Sequence, residues 1–290
     1  MTGVGWIGLG AMGGPMASVA SGSGHALKVY DIDPDRAQEL GLEAAASAAD
    51  AARGADVLVV MVATPDQVEA VLFGDDGAAD ALAAGAIVVV MATVGPAPVT
   101  RWAATLAGRD VELVDAPVSG GVARAGDGDL LILVSGSDDA IARVQSLLDA
   151  LARNAPVVGK EPGDGQKVKL VNQLLCGVHI AAAGEALAFA EAMGLDARAC
   201  WEVIREGAAA SFMLDDRGAR MLDGEAEPAK SAMEIFVKDM GLVTGAAREN
   251  GYPSPLAAVA EQLYLAGSRA GLGRLDDSSI IRLFRGSASG

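Results

Sequence analysis

The sequence predicts an α/β protein: a doubly wound parallel sheet in the first half, followed by an all-α domain. Three observations carry this. Apolar runs such as 57–62 (VLVVMV) and 87–91 (IVVVM) are continuous rather than alternating, as in strands covered on both faces by helices. Helical stretches alternate with these runs, which calls for parallel crossover connections. Beyond residue 162 the strand signals stop, and helical runs fill the rest of the 290-residue chain. The expected domains are 1–162 and 163–290, both of ordinary size.

The first strand, 4–9 (VGWIGL), runs directly into glycines. Gly8, Gly10 and Gly13 form G-x-G-x-x-G, with Leu9, Ala11 and Met12 completing the turn before a helical pattern. The first glycine allows the tight turn, the second lets backbone approach a pyrophosphate, and the third brings helix close to strand. The N–H groups of the following helix then face the phosphates. A second strand, 27–31 (LKVYD), ends in Asp31, 23 positions after Gly8. Strand, glycine turn, helix and acid in this order are the dinucleotide-binding fingerprint of a Rossmann domain. Asp31 is the candidate partner of the adenosine ribose hydroxyls. Its carboxylate would repel a 2′-phosphate, and Ile32 and Asp33 supply no arginine in its place, so the expected cofactor is NAD. Asp33 and Pro34 supply the cap and first turn of the next helix, which would leave Asp31 free.

Helices follow over 65–72 and 96–106, each with proline near its start, and over 138–151. Further strands are expected at 111–114, 130–134 and 156–158. Ligands in such sheets lie at the carboxyl ends of strands, so the loops after Met61, Met91 and Val114 should frame the site. The first carries Ala63, a candidate cofactor contact beside Thr64 and Pro65. The second carries Thr93, which either bonds the nicotinamide end of the cofactor or caps the helix near Pro96. The third is DAPVSGG, whose Ser119, Gly120 and Gly121 offer a hydroxyl and closely approachable N–H groups, suited to a carboxylate.

In the second half, helices are expected over 163–193, 197–206, 232–249, 256–270 and 278–283, with a loose small-residue tail at 286–290. The first is long and apolar enough to be buried all round, bridging the domains or packing on a second subunit. Gly194 closes it and Asp196 caps the next helix. Near its start, Lys169, Asn172, Gln173 and Cys176 fall at i, i+3, i+4 and i+7, on one face. One amine and two amides make an odd stripe for core packing. They suit the floor of a site for a small anionic, hydroxylated substrate.

Formal net charge is −16, with pI near 4.4. This argues against nucleic acid and anionic membranes, which need a basic footprint. Two cysteines, Cys176 and Cys200, indicate no disulfide framework, and a reducing, cytoplasmic setting fits. No uncharged apolar run reaches the ~18 residues of a membrane span, and the immediate entry into a strand leaves no room for a signal peptide. His25, His179 and the cysteines show no metal-ligand spacing, so no metal is expected.

A nicotinamide site needs a group that takes the hydroxyl proton as hydride leaves carbon. A Tyr-x-x-x-Lys pair is absent, because the residues four after Tyr30, Tyr252 and Tyr264 are Pro34, Leu256 and Ser268. Zinc has no ligands. His179, ten positions after Lys169, lies roughly 80° away around the helix and reads as a packing residue. Lys160 and Lys167 read as surface lysines. Lys169 remains. Burial, a helix N-terminus and the oxidised nicotinamide ring would each lower its pKa toward the range of general acid–base catalysis.

GLGAMGGPM, DAPVSGG, GDGQKVKLVNQ and FVKDMGL, in this order and spacing, resemble the β-hydroxyacid dehydrogenase family, which includes 3-hydroxyisobutyrate and tartronate semialdehyde enzymes. The resemblance covers essentially the whole chain. It implies a Rossmann domain, an all-helical second domain and a homodimer or homotetramer. It also implies carboxylate binding at Ser119, Gly120 and Gly121, catalysis by Lys169, and cofactor contacts from Thr93 and Lys238. One position departs from the commonest pattern. Four residues after the lysine many members have Asn, and this chain has Gln173 preceded by Asn172. Gln173 still bonds a hydroxyl or carboxylate, with longer reach. KLVNQLLCGVHIAAAGEA, SAMEIFVKDMGL and DDSSIIRLF are most similar to the branch that oxidises the C2 hydroxyl of L-threonate to the 2-oxo acid. In that branch Ser119 and Ser211 would hold further hydroxyls. The alternatives are a 3-hydroxyisobutyrate dehydrogenase, a tartronate or succinic semialdehyde reductase, and a non-catalytic NAD-sensing module.

Overall fold

The structure is a computed structural model that describes residues 3–224 and 229–285. The expected loose tail at 286–290 lies outside the described residues. The chain divides into two compact units, Met1–Lys169 and Leu170–Gly290.

In the first unit, strands and helices alternate in the order β1 (Gly3–Ile7), α1 (Gly13–Gly22), β2 (Ala26–Tyr30), α2 (Asp35–Glu39), β3 (Glu43–Ala44), α3 (Ala48–Ala52), β4 (Val57–Val60), α4 (Pro65–Phe73), β5 (Ile87–Val90), α5 (Pro96–Ala107) and β6 (Glu112–Asp115). There follow β7 (Val118–Ser119), α6 (Gly121–Gly126), β8 (Leu130–Ile132), β9 (Val134–Ser135), α7 (Asp138–Leu151), β10 (Ala152–Asn154) and β11 (Val157–Gly159). The main sheet has eight strands in the order β11-β9-β6-β5-β4-β1-β2-β3. It is parallel except where β6 meets β9. The strand order reverses at β1, which pairs with β2 on one side and β4 on the other. That is the switch point at which such sheets bind ligands.

The continuous apolar strands are explained by burial on both faces. Val57 and Val59 of β4, with Ile87 and Val89 of β5, face one core. Leu58, Val60, Val88 and Val90 face another. Helix starts follow local chemistry. Thr64 and Gln67 form a capping box ahead of Pro65, and Ser137 caps α7. One sequence expectation is corrected. The run 130–134 is not one strand: β8 joins a separate three-stranded sheet with β7 and β10, and β9 joins the main sheet. At the start of α2, Asp33 Oδ1 accepts from Asp35 N at 3.3 Å, and Pro34 between them takes helical φ and ψ.

The helix α8 (Asp164–Ala192) begins within the first unit, whose bounds reach Lys169. The physical reason is that its first turn is hydrogen-bonded into the first unit, through Gly165 and Gln166. The helix is not buried all round: Val171 is 65% and Phe189 60% exposed. By length and composition alone it is apolar enough to cross a membrane, although over half of its most apolar window is buried.

The second unit is helical. It contains α9 (Ala197–Ile204), α10 (Phe212–Asp223), α11 (Met233–Glu249), α12 (Pro255–Gly267) and turns of π and 3₁₀ type at Ser268–Leu272 and Asp277–Leu283. Asp196 caps α9 by accepting from the N–H groups of Arg198 and Ala199. Helix α10 is not among the expected helices, because Gly218 and a polar-rich sequence mask it. Gly218 is needed there, since a Cβ would come within 2.4 Å of Trp201 Nε1. The core stacks Phe236 on Tyr264 and buries Leu170, Ile180, Leu187, Met240 and Ile280. Beside it, Arg217 pairs with Asp277 and Arg220 with Asp276. Both acids are fully buried, so the pairing offsets their desolvation.

Candidate active site

The glycine turn after β1 has the shape its sequence implies. Gly8 takes φ +97°, and a Cβ there would lie 2.3 Å from Met61 O. A Cβ on Gly13 would lie 2.1 Å from Gly8 O, so α1 can start this close to β1 only without a side chain. At Gly10, by contrast, an added Cβ would meet only Arg36 Nη1, at 3.4 Å. The backbone there is open to a close-lying group; in the first turn of α1, Gly14 N donates to Gly10 O at 3.0 Å and Pro15 has no N–H, while the N–H groups ahead of them precede any intrahelical acceptor. Leu9 is buried, Ala11 exposed and Met12 half-buried at the N-cap of α1. These residues fit the pyrophosphate of a dinucleotide.

Asp31 follows β2 beside this turn, but it is not free as expected. Its Oδ2 accepts from Leu9 N at 2.6 Å and its Oδ1 from Asp33 N at 3.0 Å. It therefore holds the glycine turn. Arg36, absent from the sequence-based candidates, places Nη1 3.8 Å from Asp31 Oδ2. The signal for it is an arginine in the first turn of the helix after the acid.

Ala63, after β4, donates its N–H to Gln67 Oε1 at 2.9 Å, as part of the α4 cap. Thr93 is half-buried after β5. The helix that follows it starts from Gly95. After β6, Ser119 ends β7, and Gly120 (φ +149°) and Gly121 (φ +80°) turn the chain into α6. Both conformations disfavour any side chain.

Lys169 is 5% exposed on the second turn of α8. Lys167 and Lys160 have side chains 66% and 80% exposed. The first turn of α8 is fixed by two residues that sequence reasoning misses, Gln166 and Asp115. Gln166 is fully buried. Its Oε1 accepts from Val94 N (2.9 Å) and Gly95 N (3.0 Å), and its Nε2 donates to Ala92 O (3.0 Å) and Asp115 Oδ1 (2.7 Å). Asp115 Oδ2 accepts from Gly163 N and Gln166 N, and from the Ser135 hydroxyl at 3.3 Å. Burial pushes the Asp115 carboxyl up to about 6, and these hydrogen bonds pull the other way. The signals for the pair are an acid ending an apolar strand, and a glutamine three residues before the lysine.

Further along α8, in the second unit, Asn172 Nδ2 donates to Gln173 Oε1 at 2.8 Å and lies 3.4 Å from Cys176 Sγ. Gln173, 6% exposed, donates through Nε2 to the buried Asp239. Lys238 Nζ pairs with the other Asp239 oxygen at 2.5 Å. Asp239 is a third residue that sequence reasoning misses, an acid inside the apolar stretch of α11. Ser211, expected to hold a substrate hydroxyl, instead caps α10 by accepting from Leu214 N. Among the described residues there is no cluster of His, Cys, Asp and Glu of a kind that holds a metal ion.

Comparison with known proteins agrees with this geometry. The family model described as the NAD binding domain of 6-phosphogluconate dehydrogenase matches residues 3–159. The model described as NAD-binding of NADP-dependent 3-hydroxyisobutyrate dehydrogenase matches residues 163–284. L-threonate dehydrogenase of Cupriavidus necator is 40% identical, over 98% of this chain and 96% of its own length. 2-Hydroxy-3-oxopropionate reductase of Escherichia coli is 33% identical, over 96% of each. The crystal structure of 3-hydroxyisobutyrate dehydrogenase from Salmonella typhimurium superposes with a TM-score of 0.91 at 38% identity, over 98% of this chain and all of that one. With the glycine turn, the acid after β2 and the buried lysine in α8, these matches show that the chain belongs to the β-hydroxyacid dehydrogenase family and is an NAD-dependent oxidoreductase acting on the CH–OH group of a hydroxy acid.

Proposed function

We propose that the substrate is a four-carbon sugar acid, L-threonate or its epimer D-erythronate, oxidised at C2 to the 2-oxo acid. The observation that carries the chemistry is the burial of the Lys169 amine on the opening turns of α8. NAD, when bound, supplies the hydride acceptor. The protein supplies the rest. Gly8, Gly10 and Gly13 with Asp31 hold the dinucleotide, Thr93 and Lys238 are its further contacts, and Ser119, Gly120 and Gly121 take the carboxylate. Lys169, in its neutral form, accepts the C2 hydroxyl proton as the carbonyl forms. Asn172 and Gln173 follow Lys169 on the same helix face and meet the remaining hydroxyls. The L-threonate dehydrogenases among the relatives, such as that of Cupriavidus necator at 40% identity, support this substrate class.

A second reading, a 3-hydroxyisobutyrate dehydrogenase or semialdehyde reductase, is favoured by the names of the Salmonella structure and the Escherichia coli reductase. Assays of NADH appearance with L-threonate, D-erythronate, 3-hydroxyisobutyrate and glycerate separate the two. Preference for 3-hydroxyisobutyrate over both sugar acids would reject the first reading. Replacing Lys169 with Met is expected to abolish turnover and leave NAD binding intact, and near-normal turnover would reject the lysine. A cytoplasmic location and a homodimer or homotetramer complete the proposal. They are supported by the absence of a disulfide framework and by the apolar residues Val171, Leu175 and Phe189 that α8 leaves exposed.

A further inference from the structure

Three segments of the first unit carry candidate site residues: the loop after β5 with Thr93, the segment after β6 leading to Ser119–Gly121, and the start of α8 with Lys169. One side chain on the third, Gln166, is bonded to the first and to Asp115, the residue that ends β6. Gln166 uses its full hydrogen-bonding capacity, with two acceptances from the Val94 and Gly95 N–H groups and two donations to Ala92 O and Asp115 Oδ1. Its own N–H is bonded to Asp115 at 2.9 Å, and so is that of Gly163 at 3.0 Å. Gly165, between them, donates to Ser135 Oγ, which also bonds Asp115. There is no slack, since a Cβ on Gly165 would lie 2.5 Å from Leu133 O.

This arrangement exceeds what a helix start requires. A helix N-terminus exposed to solvent satisfies its first N–H groups with water or one capping side chain. Here a carboxylate and an amide are both taken out of water, at considerable cost, and apart from the Ser135 hydroxyl their partners lie in the loop after β5, at the end of β6 or at the start of α8. The amide is also fixed in one sense. Val94 and Gly95 present donors and Ala92 an acceptor, so Gln166 cannot flip without losing all three bonds. Asp115, facing only donors, must be an acceptor at both oxygens.

We propose that Gln166, oriented by Asp115, is a positioning residue that sets the Lys169 amine against the loops after β5 and β6. This rests on the reading of Lys169 as the acid–base group and adds a cause for its placement. Lys169 follows Gln166 by three residues on one rigid helix, so a shift of the first turn moves the amine by a similar amount. Misplacement by about 1 Å costs on the order of 100-fold in rate.

The test uses the full-length enzyme with whichever hydroxy acid of the panel it turns over best. Gln166→Leu removes all four side-chain bonds. Asp115→Asn sets an NH₂ group against Gln166 Nε2 or against the backbone donors, and so disturbs the same node without a large change in volume. Both are expected to lower kcat by ~100-fold while KM for the acid and the dissociation constant for NAD stay within ~3-fold. In cofactor-free protein, amide hydrogen exchange is expected to rise over 163–169 and 92–95 and to stay unchanged in α4. Gln166→Glu should recover activity as pH falls, because a protonated carboxyl again donates to Asp115. Thermal melts over the same pH range separate this recovery from a gain in stability, which a buried carboxyl also shows as it protonates.

Near-normal kcat in Gln166→Leu and Asp115→Asn would overturn the inference. So would a loss confined to NAD affinity. If Gln166→Leu fails to fold, Asp115→Asn and Gln166→Glu decide the matter alone. The two levels separate cleanly. An active Lys169→Met sinks the acid–base reading and this inference with it. An inactive Lys169→Met beside an active Gln166→Leu sinks only the inference.

Discussion

Asp31 does two jobs that a single substitution can divide. Its carboxylate accepts from Leu9 N at 2.6 Å and faces the guanidinium of Arg36 at 3.8 Å. Asp31→Asn keeps an acceptor for Leu9 N and removes the charge. Asp31→Ala removes both and leaves the N–H of a buried residue unpaired, at about 1–3 kcal/mol. The charge matters because a 2′-phosphate would sit near it. Two unit charges about 5 Å apart repel by about 1–3 kcal/mol between water-like and near-surface screening. The Arg36 pair, on a side chain 40% exposed, adds little by itself, but its release provides a cation for that phosphate. The expected outcome for Asp31→Asn is a ~5- to ~100-fold rise in the NADP/NAD ratio of kcat/KM, with little change in Tm. Asp31→Ala should lower Tm and weaken both cofactors, because the glycine turn loses its tether. Adding Arg36→Ala to Asp31→Asn should remove most of the gain. Steady-state kinetics with both cofactors, beside thermal melts, reads all of this. An unmoved ratio in a stable Asp31→Asn would refute the charge argument, and equal melting of the Asn and Ala variants would refute the tether.

In the second unit, Gln173→Ala leaves the 2%-exposed Asp239 without its amide donor. It should cost about 1.5–3 kcal/mol in urea unfolding and weaken the substrate KM; an unchanged midpoint would show the bond is unimportant. Gly177→Ala would set a Cβ 2.2 Å from Met240 Sδ, and overpacking of this kind costs about 1–3 kcal/mol, checked by the same melts. Stability should also follow Asp115. Its folded-state pKa is raised by burial from 3.8 to about 6, so its contribution is fully present below the unfolded value and lost as pH rises through the folded one. The full swing is about 3 kcal/mol. Wild type should therefore gain on Asp115→Asn as pH falls from neutral toward 4, and a difference that does not vary with pH would refute it.

What is legible in the sequence divides by the range of the physics involved. The sheet can be read because burial on both faces writes itself into consecutive residues, as in VLVV of β4. The glycine turn can be read because each glycine answers a local steric demand. Helix α10 cannot, because Gly218 is set by Trp201, 17 positions earlier, and no local pattern encodes that contact. The run 130–134 misleads for a related reason. Its apolar character states that it is buried and is silent on which sheet takes each half.

The same distinction explains the site residues. Lys169 emerges from elimination and helical spacing, both local arguments. Gln166 and Asp115 do not, since their bonds cross 51 positions of sequence and their meaning lies in which segments they join. Asp31 is legible only by half: its place after β2 marks it as a candidate for the ribose, and its bond to Leu9 across 22 positions is not visible in the sequence. Charge and amide groups taken out of water cost free energy, and a chain carries them only where they are matched. An acid ending an apolar strand, as in VELVDAP, and a glutamine inside a buried helix start, as in GDGQKVK, therefore stand out in the chain itself as desolvation without a visible partner. Taking each such residue as one half of a pair brings Asp115 and Gln166 together. It equally seeks a partner for Gln173 near the acid of FVKDMG.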